Sequence, residues 1–238
     1  MEKMDSTKKI ARIAGLLYLI IIVCAGFSEG FVRSSLIVPG DAAATANNIM
    51  ASERLFRLGF VTDLIAFLSD AVVAILFYVL LKPVSKTVAL QAAALRLLAH
   101  PAIASLNLLN HFLALQLLNG ADFLTVFDTN QLYALVLLFL DAHTYGYLIG
   151  GAFFGVHLLV LGYLLYKSNL FPGILGVLLV VASFGYLTES FGNFLFPAYE
   201  EILAWIVAVP AVIGELSLTL WLLIKGVKDQ PSDAGEAG

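Results

Sequence analysis

Six long apolar runs dominate this chain, and they leave it few ways to fold. A helix that crosses a bilayer needs ~20 mostly apolar residues, each rising ~1.5 Å. The runs at about Ile10–Phe27, Leu58–Leu81, Val88–Leu118, Ala142–Tyr166, Pro172–Phe196 and Ile202–Ile224 all approach or exceed that length. In hydrocarbon every backbone polar group must be bonded within the chain, and helices achieve this segment by segment. The reading is therefore an all-α polytopic membrane bundle of six transmembrane helices. It forms one domain over residues 1–228, followed by a polar tail at 229–238 that is expected to be disordered.

Composition agrees with that reading. Of 238 residues, 61% are hydrophobic and 13% charged, against ~45–50% and ~25% in soluble domains. These values exclude a nucleic-acid-binding domain, a disordered chain and an ordinary soluble enzyme. The lipid bilayer is the partner they demand. The single cysteine, Cys24, excludes an internal disulfide and a cysteine-based zinc cluster.

Charge asymmetry predicts orientation. With the N-terminus in the cytoplasm, the inner side collects Lys3, Lys8, Lys9, Arg12, Lys82, Lys86, Lys167, Lys225 and Lys228. The outer side receives Arg33, Arg54 and Arg57. Both termini are thus expected to be cytoplasmic, in a cell (inner) membrane. The basic start ahead of Ile10–Ala25 also has the character of a signal peptide. However, the run is long for one and lacks a clean small-x-small cleavage site, so it is read as an uncleaved first span.

Two outer connections are long. Ser28–Phe56 carries Pro39, Gly40 and Asp41 ahead of an alanine-rich stretch, which predicts a short outer-face helix capped by Asp41. The other is Asn119–Asp141. One helix from Asp128 to Lys167 would measure ~60 Å, twice a ~30 Å bilayer core. Leu132–Leu140 is therefore expected to be a separate interfacial or re-entrant piece. No internal repeat is visible, so an inverted-repeat transporter is not supported.

Ionisable residues inside a membrane cost ~2.5–3.5 kcal/mol each, and here they are spaced regularly. Asp63 and Asp70 lie seven apart, on one helix face. Arg96, His100, Asn107 and His111 step by four, seven and four, with Asn110 alongside. His143, Gly150 and His157 step by seven, Tyr186, Glu189 and Asn193 by three and four, and Glu215 and Thr219 by four. Counting ~1.5 Å per residue from the inner ends sorts these residues into two layers. A central layer holds Asp70, Arg96, His100, His157 and Glu215. An outer layer holds Asp63, Asn107, His111, His143, Glu189 and Asn193.

Arg96 needs an acid because its guanidinium does not shed its proton. Asp70 and Glu215 are the candidates, which leaves one acid over beside two histidines. Two arrangements accommodate it. A carboxylate or histidine carries a proton, giving a proton-sensitive cluster. Or a divalent metal such as zinc, iron or manganese sits among His100, His157, Asp70 and Glu215. No HExxH motif or phosphate-binding glycine loop is present. The plain alternative is that polar pairs simply hold helices together. Gly146, Gly150, Gly151 and Gly155 are read in that way, as sites of close helix packing.

The second half carries His143-Thr-Tyr-Gly-Tyr-Leu-Ile-Gly, Phe154-Gly-Val-His157-Leu-Leu, Leu161-Gly-Tyr, Pro172 to Gly176, Gly185-Tyr-Leu and Gly214-Glu-Leu-Ser-Leu-Thr-Leu-Trp. The first half carries Leu58-Gly-Phe and Asp63-Leu. Together these segments resemble an uncharacterised bacterial family of multi-pass membrane proteins, a domain of unknown function. The resemblance implies a six-helix body in a bacterial inner membrane, and no activity or catalytic residue to carry over.

Three function classes remain. The first is a protein that binds or transports a small solute, ion or proton. Arg96 would hold an anionic group or exchange between acids, the histidines would take protons, and the outer layer would give access. A homodimer would suit so small a carrier. The second is a membrane-embedded metal-dependent enzyme acting on a lipid or other apolar substrate. Its metal would activate water, with Asp70 or Glu215 as general base. The third is a subunit or chaperone of a membrane complex. The first is preferred, because the polar stripes run along the helices instead of stopping at one depth.

Overall fold

A computed structural model describes residues 2–228, with side chains from residue 6 onward. Among these residues six helical stretches are long and apolar enough to cross a membrane: Ser6–Leu36, Glu53–Leu81, Lys86–Leu118, Thr129–Lys167, Gly173–Leu195 and Pro197–Ile224. They correspond one for one to the apolar runs. The expected tail at 229–238 lies outside the described residues.

The elements are α1 (Glu2–Phe27), a π-helical segment (Ser28–Arg33) that runs on into the single turn α2 (Ser34–Leu36), α3 (Ala42–Ala51) and α4 (Glu53–Leu81). Next come α5 (Lys86–Leu97), a second π-helical segment (Leu98–Ala104) and α6 (Ser105–Leu118). A 3₁₀ turn (Asp122–Val126), α7 (Thr129–Lys167), α8 (Gly173–Leu195), a 3₁₀ turn (Pro197–Tyr199) and α9 (Glu200–Ile224) complete the chain.

The spans form a closed ring in chain order. α1 packs on α4, α4 on α5, α5 and α6 on α7, α7 on α8, α8 on α9, and α9 returns to α1. Small residues permit the tightest of these contacts: a Cβ on Gly162 of α7 would stand 2.6 Å from the carbonyl oxygen of Gly176 on α8. Gly150 likewise faces the Ala99 carbonyl, so α7 can approach the second π-helical segment closely. The side of the ring that carries both described ends is called here the terminal face, and its opposite the far face. On the terminal face Gly226 lies against Lys8, and the backbone N–H of Lys228 donates to Leu170 at 2.8 Å.

The far face carries the short helix expected after Asp41. Pro39 and Gly40 (φ +76°) make a turn closed by Asp41 N–H to Val38 O at 3.0 Å. The Asp41 carboxylate then accepts from Ala44 N–H at 2.8 Å and caps α3.

The separate piece expected at Leu132–Leu140 does not exist. α7 is one unbroken helix of 39 residues, roughly 58 Å at ~1.5 Å per residue. Asp128 starts it with a reciprocal cap, accepting from Gln131 N–H at 2.9 Å while the Gln131 side chain accepts from Asp128 N–H at 3.0 Å. No glycine or proline interrupts the chain before Gly146. Bilayer thickness does not limit the helix, because its first turns need not lie in lipid. Val136 and Leu140 are buried in a second core with Val32, Leu36, Ile49, Phe56 and Leu115. That core is built above the ring by α2, α3 and the far ends of α4, α6 and α7.

Pro101 falls inside the third span. It has no N–H to give to the preceding turn, and its ring crowds that turn. The π-helical segment absorbs the defect, as such segments do at proline and at functional positions.

Candidate functional site

Every span of the ring contributes one polar side chain to a buried network: Tyr18 from α1, Asp70 from α4, Arg96 from α5, His157 from α7, Tyr186 from α8 and Glu215 from α9. His100, at the start of the second π-helical segment, joins them. The centre is Arg96, which is fully buried. Its Nε lies 2.8 Å and its Nη2 2.5 Å from Asp70 Oδ1. The other oxygen, Oδ2, is 3.0 Å from His100 Nδ1. Aromatic rings close the site: the guanidinium carbon sits 4.5 Å from the Tyr18 ring centre, 5.3 Å from that of Phe154 and 5.9 Å from that of Phe77.

Hydrogen-bond logic fixes His157. Its Nδ1 faces the Ala92 carbonyl oxygen at 2.8 Å, which only accepts, so Nδ1 carries the proton. Its Nε2 faces Arg96 Nη1 at 3.1 Å, which only donates, so Nε2 presents a lone pair. The imidazole is therefore a neutral acceptor beside a guanidinium.

Glu215 is reached through a phenol. Tyr18 Oη is 3.5 Å from Arg96 Nη1 and donates to Glu215 Oε2 at 2.8 Å. Tyr186 donates to Oε1 at 2.8 Å. Both carboxylate oxygens thus accept from tyrosines, and no basic side chain pairs directly with Glu215 among the described residues. Arg96 selects Asp70 as its acid and touches Glu215 only through Tyr18.

The remaining candidates for metal ligation do not converge. Both nitrogens of His157 and both oxygens of Asp70 are engaged, and Tyr18 and Arg96 stand between Asp70 and Glu215. Among the described residues no group of three or more histidine, cysteine or acidic side chains is arranged to hold a metal ion.

Toward the far face lies a second polar layer. Arg33, at the end of the first π-helical segment, is only 4% exposed. Its Nη1 donates to Asp63 Oδ2 at 2.7 Å, its Nη2 to Ser28 Oγ at 2.8 Å and its Nε to Glu29 at 2.5 Å. Ser28 donates in turn to the other oxygen of Asp63. Next to this pair, Asn107 donates to the His143 carbonyl at 2.6 Å, and His143 Nδ1–H to the Asn107 carbonyl at 3.2 Å. Asn110 supports Asn107 at 2.9 Å. His111 stacks on Phe56 with ring centres 3.9 Å apart, and its Nε2–H donates to the Phe56 carbonyl at 3.2 Å. This leaves His111 Nδ1 and His143 Nε2 as buried lone pairs without a protein donor, on rings 5.7 Å apart. Such a pair suits buried water. Glu189 and Asn193 share no hydrogen bond with this group among the described residues: the Asn193 amide donates to the Glu189 backbone carbonyl at 2.9 Å.

An apolar collar separates the layers. Ala66, Phe67, Ala104 and Leu108 pack with Ile21, Cys24, Phe60 and Tyr147. Phe67 spans the gap, with its ring centre 6.0 Å from His100 below and 6.2 Å from Tyr147 above.

Several members are not marked in the sequence, Tyr18, Tyr186 and Arg33 foremost. Tyr18 lies in an apolar run with no charged neighbour, so nothing marked its face. Tyr186 lies on the α8 stripe, where an uncharged phenol does not single itself out. Arg33 reads as an outer-loop charge. A signal for it existed: Asp63 sits in an apolar run and needs a base at its own depth.

A protein from Archaeoglobus fulgidus, carrying the name "Uncharacterized protein", is 31% identical over 159 residues, which cover 67% of this chain and 78% of that protein. No solved structure matches the chain. Residues 13–226, which hold every member of both polar layers, match the family described as Domain of unknown function (DUF4386). The chain belongs to that family.

Proposed function

We propose that this multi-pass protein moves protons, or a small solute or ion coupled to them, across a cytoplasmic membrane through the buried network. One observation carries the reading: Arg96 lies between two acids, bonded to Asp70 and one tyrosine away from Glu215. Intramembrane ionisable residues on inward helix faces commonly mark such pathways. With Arg96 held by Asp70, Glu215 is free to take a proton, its carboxylate positioned by two phenols. When Asp70 takes a proton, Arg96 exchanges toward Glu215 through Tyr18. His100, whose side chain is 19% exposed, is the natural donor to Asp70. The lone pairs on His111 and His143 make the far layer a wet antechamber, and the Phe67 collar is the barrier between the two.

Orientation follows the basic residues. Lys9, Arg12, Lys82, Lys86, Lys167 and Lys225 lie at the terminal face, while Arg33 is neutralised by Asp63 and Glu29. The excess of basic side chains at the terminal face supports a cytoplasmic position for it.

Reconstitution into proteoliposomes with an internal pH dye tests the reading. An imposed pH gradient should collapse faster than in protein-free vesicles, and Glu215→Gln should return the rate to the protein-free value. Equal rates for the native protein, Glu215→Gln and empty vesicles, across gradients of either sign, would remove the proposal.

A further inference from the structure

A recess of about 510 Å³ opens on the outside of the ring between α5, α7 and α8. It does not touch the buried network. Its floor is the backbone of Gly162 and Gly176, and its walls are mainly aliphatic, with Val88, Val177 and Val180 among them. The volume is within the ~300–1,000 Å³ of small-molecule sites. Tyr163 and Tyr166 flank it and are about half exposed, at 50% and 59%. We infer that this recess holds one acyl chain of an anionic phospholipid, with the lipid phosphate bound at Lys86 and Lys167.

Position argues for lipid. Val88 is two residues into α5, Tyr166 is next to the last residue of α7, and Gly176 lies in the first turn of α8. The recess therefore starts at the terminal face and runs into the span as far as Leu159 and Val181. Tyr166 to Leu159 is two turns, or ~10 Å. At that depth the medium around a single chain is hydrocarbon.

Charge argues for an anionic head group. Lys86 opens α5 two residues before Val88, and Lys167 closes α7 next to Tyr166, so both belong to the terminal-face end of the helices that line the recess, and both are exposed. Neither is in an ion pair among the described residues. No aspartate or glutamate occurs between Asp70 and Asp122, or between Asp141 and Glu189, so the three helices offer these lysines no carboxylate at this face. The N-terminal end of α5 adds its own positive potential beside Lys86. Two unopposed lysines at a membrane surface attract anionic lipid.

The test is retention of phosphatidylglycerol against phosphatidylcholine of the same acyl chains by the full-length protein in detergent. It is read by native mass spectrometry and by the thermal midpoint. One phosphatidylglycerol per chain should be retained, with a raised midpoint, and phosphatidylcholine should not. Lys86→Gln with Lys167→Gln should weaken that retention by roughly tenfold or more. Val177→Trp, at a position 42% exposed and so tolerant of bulk, should fill the recess and abolish retention with helical content unchanged. Equal retention of the two lipids, or phosphatidylglycerol retention indifferent to both variants, would overturn the assignment. So would a dimer that Val177→Trp dissociates while no lipid is retained, which would give the recess to a second copy. Proton flux is not part of this readout, so the lipid site and the proposed transport stand or fall separately.

Discussion

Asp63 and Asp70 lie seven residues apart on one face of α4, and each is the acid of a buried arginine pair, with Arg33 and Arg96 respectively. Each pair is also next to a π-helical segment: Arg33 ends the first, and His100, which shares Asp70, lies in the second. One helix face thus carries both charged layers, separated by the collar around Phe67.

Breaking the central pair from one side will cost more than removing it whole. Arg96→Ala leaves Asp70 buried without its cation, and a cost of about 3–5 kcal/mol is expected. Asp70→Leu combined with Arg96→Met should recover a large part of that loss, because two apolar side chains leave no uncompensated charge. Thermal unfolding of both variants in one detergent measures the difference.

Tyr18→Phe removes the phenol between Arg96 and Glu215 while preserving the ring over the guanidinium. A stability loss of about 0.5–1.5 kcal/mol is expected for the lost hydrogen bond. Proton flux should fall far more than the stability does. A variant that unfolds normally and fluxes at the native rate would remove Tyr18 from the pathway.

Phe67→Ala opens the collar. Cys24 packs against the same cluster and is the chain's own reporter. Its labelling by a water-soluble maleimide added from the far face should rise several-fold, with a stability loss of about 3–5 kcal/mol for the truncated aromatic. Labelling unchanged from the native protein would show that Phe67 holds back no water.

Asp128→Ala removes the cap of α7. A loss of about 0.5–2 kcal/mol is expected. Hydrogen exchange should accelerate over the first turns after Thr129 and stay slow around His157, because the far-face core, and not the membrane, holds that end.

The spans were legible because hydrocarbon permits few backbone arrangements, and the layers because charged side chains of helices must share faces. Asp41 and the α3 helix are legible from turn chemistry, whereas depth offers Arg96 two acids, Asp70 and Glu215, and only the packing selects Asp70. Arg33 is legible only through the need of Asp63 for a base, because the helix of α1 runs on through a π-helical segment and carries Arg33 inward from what reads as a loop. Tyr18 was not legible, because a tyrosine in an apolar run has the same hydropathy whether or not its hydroxyl has a partner. The length of α7 is not legible from bilayer thickness, because α3 and the far end of α4 support its first turns.

The ring closes between its first and last helices, and this fixes an order of assembly. The Asp70–Arg96 contact spans 26 residues and forms as soon as the third span has followed the second. The Tyr18–Glu215 contact spans 197 residues and waits for the sixth. During synthesis the costly guanidinium is therefore neutralised early, while the Tyr18 hydroxyl has no acid to meet. A nascent chain arrested before α9 would hold a paired Arg96 in an open crescent, and insertion of the last helix would complete the circuit and seal the wall in the same step.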